Sequence, residues 1–158
     1  MSEKKLTHLD ADGQSHMVDV SDRDVTVRTA QASGHVKLSA EVLTMLRDKS
    51  VPKGDVLATA RIAGVMGAKR TPDLIPLCHP IALHSVTVEC EIDNSGVGIV
   101  AKVKTADRTG VEMEALTAVS VAALTIIDMV KAVDPSAAIS HVQVDSKDGG
   151  RNGSWKRP

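Results

Sequence analysis

Lysine, arginine, cysteine and histidine crowd into one proline-punctuated stretch, KRTPDLIPLCHP (69–80), which carries Lys69, Arg70, Asp73, Cys78 and His79. Pro72, Pro76 and Pro80 restrict this otherwise polar segment to few conformations, and a rigid loop is a good platform for a ligand. Further along, TGVEMEALTAVSVAALTIIDMVKA (109–132) opens with Glu112 and Glu114 and closes with Asp128 and Lys131. Asp128 and Lys131 are surface neighbours if this stretch is helical, and the pair reads equally as an ordinary ion pair or as a lysine oriented by a carboxylate for proton transfer. Lys53 precedes Gly54-Asp55 at a helix entrance and, taken alone, reads as an exposed, solvated lysine. A phosphate would be held by Lys and Arg. The chain has neither a GxxxxGK[ST] nor a GxGxxG loop, and GGRNG (149–153) lacks the strand-to-helix setting such motifs need.

Cys78, His79, His84 and Cys90 have the residue types of a zinc site but not its spacing. Adjacent Cys and His do not form the paired clamps, and Cys90 falls inside a predicted strand, so no metal is expected. The two cysteines fit a reducing compartment rather than a disulfide framework. With no Phe, no Tyr and one Trp, a planar ligand would be held by hydrogen bonds, Arg planes or Met113 rather than by aromatic stacking.

The long stretch must position most of these groups. Thr109 and Glu112 fit a capping box, so the helix is expected to start there. Apolar residues then cover too wide a face for a helix lying on one sheet, which predicts burial on several sides. The uncharged part, 115–127, is shorter than the roughly 20 residues a bilayer needs. Glu114 and Asp128 are fourteen residues apart, which returns them to nearly the same face but separates them by about 21 Å. One small reaction centre cannot touch both within a single chain. Either the ligand is extended or a second copy of the helix supplies the other end.

Val25 to Leu38 alternates β-branched and polar residues around Ser33-Gly34, which suits a strand or a bulged hairpin. Ser39 reads as the N-cap of a short helix running to about Asp48, and a second helix runs from Val56 to about Ala68 with enough Ala and Gly for close packing. The prolines then force a loop. Ser85–Ile92 and Val97–Lys104 alternate around DNSG and read as an antiparallel hairpin. After the long helix comes a last strand, Ile139 to Asp145, and then a glycine-rich loop or tail. This order implies an α+β domain, ferredoxin-like, with an antiparallel sheet and helices packed on one face.

A chain of 158 residues with 42% apolar content and no compositional break reads as a single domain. A flexible N-terminal segment, about 1–15, and a basic Gly-rich tail, about 147–158, are expected at its ends. The formal charge of −1 argues against general nucleic-acid binding. The polar start, with no charged-then-apolar leader, points to the cytoplasm.

Taken together, HMVDV (16–20), KGDVLATARIAGVMGAKRTPDLIPLCHP (53–80) and TGVEMEALTAVSVAALTIIDMVKAV (109–133) resemble the cyclic pyranopterin monophosphate synthase family, molybdenum cofactor biosynthesis protein C, over nearly the whole chain. The resemblance implies a phosphorus–oxygen lyase without a cofactor. Such an enzyme converts 3′,8-cyclo-7,8-dihydroguanosine 5′-triphosphate to cyclic pyranopterin monophosphate and releases diphosphate by general acid–base catalysis. It implies Asp128 and Lys131 as the central catalytic pair, assisted by Lys53. Leu77, Cys78, His79, Met113 and Glu114 would contact substrate, with Glu112, Lys69, Lys147 and Arg28 as further contributors. It also implies a homo-oligomer, a hexamer built as a trimer of dimers, with sites at subunit interfaces and neither nucleic acid nor membrane as partner. Two readings from other classes stay open. A pterin- or nucleotide-binding scaffold would hold the ligand and liberate no diphosphate, and a structural oligomer would use the long helix merely as interface.

Overall fold

The computed structural model describes residues 8–158. Strand β1 (Thr26–Lys37) is followed by helices α1 (Ala40–Arg47), α2 (Val56–Lys69) and the single turn α3 (Thr71–Leu74). Then come the hairpin β2 (Ser85–Ile92) and β3 (Gly96–Asp107), helix α4 (Glu112–Val130), and strands β4 (Ala138–Asp148) and β5 (Trp155–Lys156). All strand pairs are antiparallel, in the order β2-β3-β1-β4-β5. The first four strands and their connections therefore make the ferredoxin-like βαββαβ arrangement. Helices α2 and α4 cover one face, where Ala30, Ala32, Val36, Val88, Cys90, Ile99, Ala101 and Val103 meet Ala115, Ala118, Val119, Ala122 and Ile126 in the core.

Small residues set how closely these layers approach. A Cβ at Gly34 would sit 2.5 Å from Val119 Cγ1 and 2.9 Å from the His141 carbonyl oxygen, so the middle of β1 must be bare for α4 to lie against it. Between the helices, a Cβ at Gly67 would fall 2.7 Å from Val121 Cγ2. The Ala- and Gly-rich composition of α2 is thus used for close helix packing. Helix α4 is, among the described residues, the one helix long and apolar enough to cross a membrane. Over half of its most apolar window is buried inside the domain, which accounts for that composition.

Several local expectations are corrected. Of the two readings left open around Ser33-Gly34 it is the strand that forms: β1 is one unbroken central strand, with β3 and β4 paired along both of its edges. The capping box is not formed. α4 starts at Glu112 with Val111 as its cap and no side-chain capping bond, because the Glu112 carboxylate accepts a charge-assisted bond from Lys147 Nζ at 2.7 Å instead. The proline-rich segment contains α3, with Pro72 in its first turn, where a missing N–H costs nothing. The last strand is longer than expected and the Gly-rich tail returns as β5 on its outer edge. Of the expected flexible N-terminal segment, residues 1–7 lie outside the described residues. Residues 8–15 make a tight turn closed by a Leu9–Ser15 bridge.

Candidate active site

The N-terminal end of α4 faces a groove made of two adjoining cavities. One, of about 300 Å³, is lined by Val18, Val20, Leu77, Cys78, His79, Met113 and Glu114. The other, of about 360 Å³, is lined by Arg28, Thr29, Lys147, Asp148, Gly149 and Arg151. Arg23, Thr109, Gly110 and Glu112 border both. The uncapped first turn of α4 therefore opens onto the groove with its free amides and the positive end of the helix dipole.

Each side chain reaches the groove for a local reason. Lys147 is aimed by a β-bulge. Between Gln31 and Ala32 the β4 register slips by one residue, which turns Lys147 to the helix face opposite Ala30 and within reach of Glu112. Arg28, 9% exposed, lies two residues before Ala30 on the same face and donates from Nε to the Asp107 carbonyl at 2.8 Å, leaving the tip of its guanidinium for the cavity. His79 Nε2 donates to the Val18 carbonyl at 2.7 Å, which fixes the Nε2–H tautomer and leaves Nδ1 as the acceptor of the neutral ring. That bond also anchors the HMVDV segment over the site.

Glu114 is the buried acid of the groove, 3% exposed. Burial, reinforced by the negative charge of Glu112, lifts its carboxyl to about 7, although its own backbone N–H opposes the rise. Burial and the neighbouring Glu114 also push the Cys78 thiol above its usual range, so it is a neutral thiol rather than a thiolate. The zinc arrangement weighed from the residue types is absent: Cys90 is buried in the core and both cysteines are free. Among the described residues no group of three or more His, Cys, Asp or Glu is placed to hold a metal ion.

A second cluster sits at the other end of α4. Lys131 Nζ donates to Asp128 Oδ1 at 2.6 Å, while Lys53 Nζ donates to the Asp128 carbonyl at 2.8 Å and lies 3.7 Å from Oδ2. Lys53 is thus more than a solvated lysine, since it caps one of the last carbonyls of the helix, where a cation is favoured. Both ammoniums hold the Asp128 carboxyl below its ordinary value, first through the Lys131 hydrogen bond. All three groups are exposed.

The sequence profile of the MoaC family matches residues 17–150. A cyclic pyranopterin monophosphate synthase of Streptomyces griseus is 63% identical over 99% of this chain and 88% of its own length. One of Streptomyces avermitilis is 62% identical over 99% and 92%. Cyclic pyranopterin monophosphate synthase 2 of Mycobacterium tuberculosis is 54% identical over 97% and 92%. The chain belongs to the MoaC family.

In this MoaC-family chain the structure brings together Arg28, Leu77, Cys78, His79, Glu112, Met113, Glu114 and Lys147 at one end of α4, and Lys53, Asp128 and Lys131 at the other. It does not bring the two groups to one place. Lys69, on the last turn of α2, lines neither of the two groove cavities. Sequence reading missed Arg23, Val18, Val20 and Arg151 as lining residues. HMVDV was singled out as a motif but carried no chemistry of its own, Arg23 sits in a segment without any periodic or motif signal, and Arg151 sits in GGRNG, which is set aside as a phosphate loop for want of a strand-to-helix setting.

Proposed function

We propose that this protein is a cyclic pyranopterin monophosphate synthase of molybdenum cofactor biosynthesis, working as a single domain in the cytoplasm. It converts 3′,8-cyclo-7,8-dihydroguanosine 5′-triphosphate to cyclic pyranopterin monophosphate and diphosphate. The observation that carries this reading is the family match over residues 17–150, because that span contains every residue assigned a role. Ring opening and pyranopterin closure require proton transfers at nitrogen and carbon, for which Lys131, oriented by Asp128, is the main group. In the cyclisation a sugar hydroxyl gives up its proton to a general base of the site as its oxygen bonds to the α-phosphorus. The bond from that phosphorus to the diphosphate breaks, and the electron pair leaves with diphosphate. Lys53, Lys69 and Lys147 neutralise the phosphates, and Arg28 joins them. Leu77, Cys78, His79, Met113, Glu112 and Glu114 hold the purine-derived portion. Glu114, neutral for part of the time near pH 7, can both donate and accept there.

The active unit in this reading is a homo-oligomer, a hexamer arranged as a trimer of dimers, in which Lys53, Asp128 and Lys131 of one subunit close the groove of another. The length of α4 supports it, since about 21 Å separates Asp128 from Glu114. So does the outer surface of the helical layer, which leaves Ile62, Met66 and Leu124 exposed. Incubating Lys131→Ala with the cyclic triphosphate and measuring diphosphate release tests the assignment. A fall of roughly 10²–10⁴-fold is expected for loss of a general acid–base. Wild-type turnover by the variant would remove Lys131 from the chemistry, and stoichiometric binding without diphosphate release by the wild type would make the protein a scaffold.

A further inference from the structure

We infer that the Gly149–Gly153 turn between β4 and β5 is a built clamp for the departing diphosphate, with Arg151 as the residue that grips it. The inference rests on reading the groove as a triphosphate site. The turn is seated on Arg28. Gly149 and Gly150 have φ of +96° and +75°, a Cβ on the first would fall on the Val27 carbonyl and on the second on Arg28 Nη1. Both positions favour glycine, since each has a left-handed backbone, and at Gly149 a side chain would also run into the Val27 backbone. The far side is pinned as well. Ser154 Oγ donates to Asp148 Oδ1, Lys147 and Ser146 pair with Trp155 and Lys156, and Arg157 donates from N and Nε to the Asp145 and Val144 carbonyls, both at 2.7 Å.

A turn fastened on both sides presents its apex, Arg151 and Asn152, to the 360 Å³ cavity. Arg23, Arg28, Lys147 and Arg151 face Glu112 and Asp148 there, so the cavity carries an excess of positive charge. Lys147 is engaged by Glu112, Asp148 by Ser154 and Arg28 in part by Asp107, whereas the guanidiniums of Arg23 and Arg151 have no hydrogen bond or ion pair among the described residues, and of these two Arg151 is the one carried on the fastened turn. A free guanidinium beside a bound one is suited to bidentate recognition of phosphate oxygens. Negative charge builds on the diphosphate as its bond to the α-phosphorus breaks. The cyclic phosphate left behind carries a single negative charge and needs no such grip. The clamp therefore discriminates diphosphate from the other product.

The test compares wild type, Arg151→Ala and Arg151→Lys. Calorimetric titration with inorganic diphosphate should show about tenfold or weaker binding in Arg151→Ala, in proportion to lost charge-assisted hydrogen bonds. Inhibition by cyclic pyranopterin monophosphate and the melting temperature should stay unchanged, and Arg151→Lys should recover part of the diphosphate affinity. Equal loss of affinity for both products, or undiminished diphosphate affinity in Arg151→Ala, overturns the clamp. The broader reading fails separately, if wild type binds the cyclic triphosphate without releasing diphosphate.

Discussion

Glu114 shows how much of this site is decided by environment rather than residue type. One of two glutamates that flank Met113 at the start of α4, it points under the proline-rich loop and is nearly inaccessible. Folding raises its carboxyl from 4.5 to about 7, so between these values the folded chain holds a proton that the unfolded chain has lost. Stability therefore falls as pH rises through this window and is level above it, by an amount on the order of 3 kcal/mol if nothing else compensates. Glu114→Gln removes that slope without changing shape. Urea unfolding at pH 5 and pH 8 should show the wild type losing more stability than the variant on going to the higher pH. Parallel curves for the two proteins would mean that Glu114 titrates as an ordinary surface acid. The same neutral fraction gives the site a hydrogen-bond donor near neutral pH, where an ionised carboxylate would only accept.

At the scale of elements, close approach governs the position of α4 and so the spacing of everything it carries. Gly34→Ala places a methyl against Val119 and the His141 carbonyl, one a packed side chain and the other backbone that cannot swing away. Overpacking of this kind costs about 2 kcal/mol, which for a chain of this size lowers the melting temperature by ~4–8 °C. A scanning-calorimetry trace superimposable on the wild type would show that β1 and α4 have slack between them. The elements themselves were legible because their signals are periodic: the alternation of SVTVECEI gave β2, and Ser39 ahead of Val42, Leu43 and Leu46 gave α1 and its cap. The failures came where a tertiary partner outbid a local one. Thr109 to Glu112 has a capping-box pattern, but Lys147 competes for the carboxylate from 35 residues away. Ser33-Gly34 left a strand and a bulged hairpin both open, because what its glycine does is admit Val119 of a distant helix. The bulge that aims Lys147 depends on two strands slipping against each other, and nothing in either strand alone marks it. The candidate residues of the long motifs were readable by resemblance. Arg23 and Arg151 were not, because what makes them lining residues is chain that folds back from elsewhere.

The whole-molecule question is whether one polypeptide can hold a complete site, and the rod-like geometry of α4 decides how to ask it. Glu114 and Asp128 cannot converge while the helix between them stays helical, and it is buried along most of its length. If two subunits meet so that the Lys53–Asp128–Lys131 end of one faces the groove of the other, defects at the two ends fall on different chains. Mixing Lys131→Ala with His79→Ala, each inactive alone, and reassembling them at equal amounts then regenerates intact sites wherever one chain supplies a wild-type groove and its neighbour a wild-type lysine. Random association makes that about one site in four, so the mixture should recover about a quarter of wild-type turnover. Single-chain sites would recover nothing at any ratio, since every site would carry one defect or the other. The recovery should also depend on subunit exchange, appearing after dissociation and reassociation and not on simple mixing of assembled oligomers, which separates shared sites from a trace of contaminating wild type.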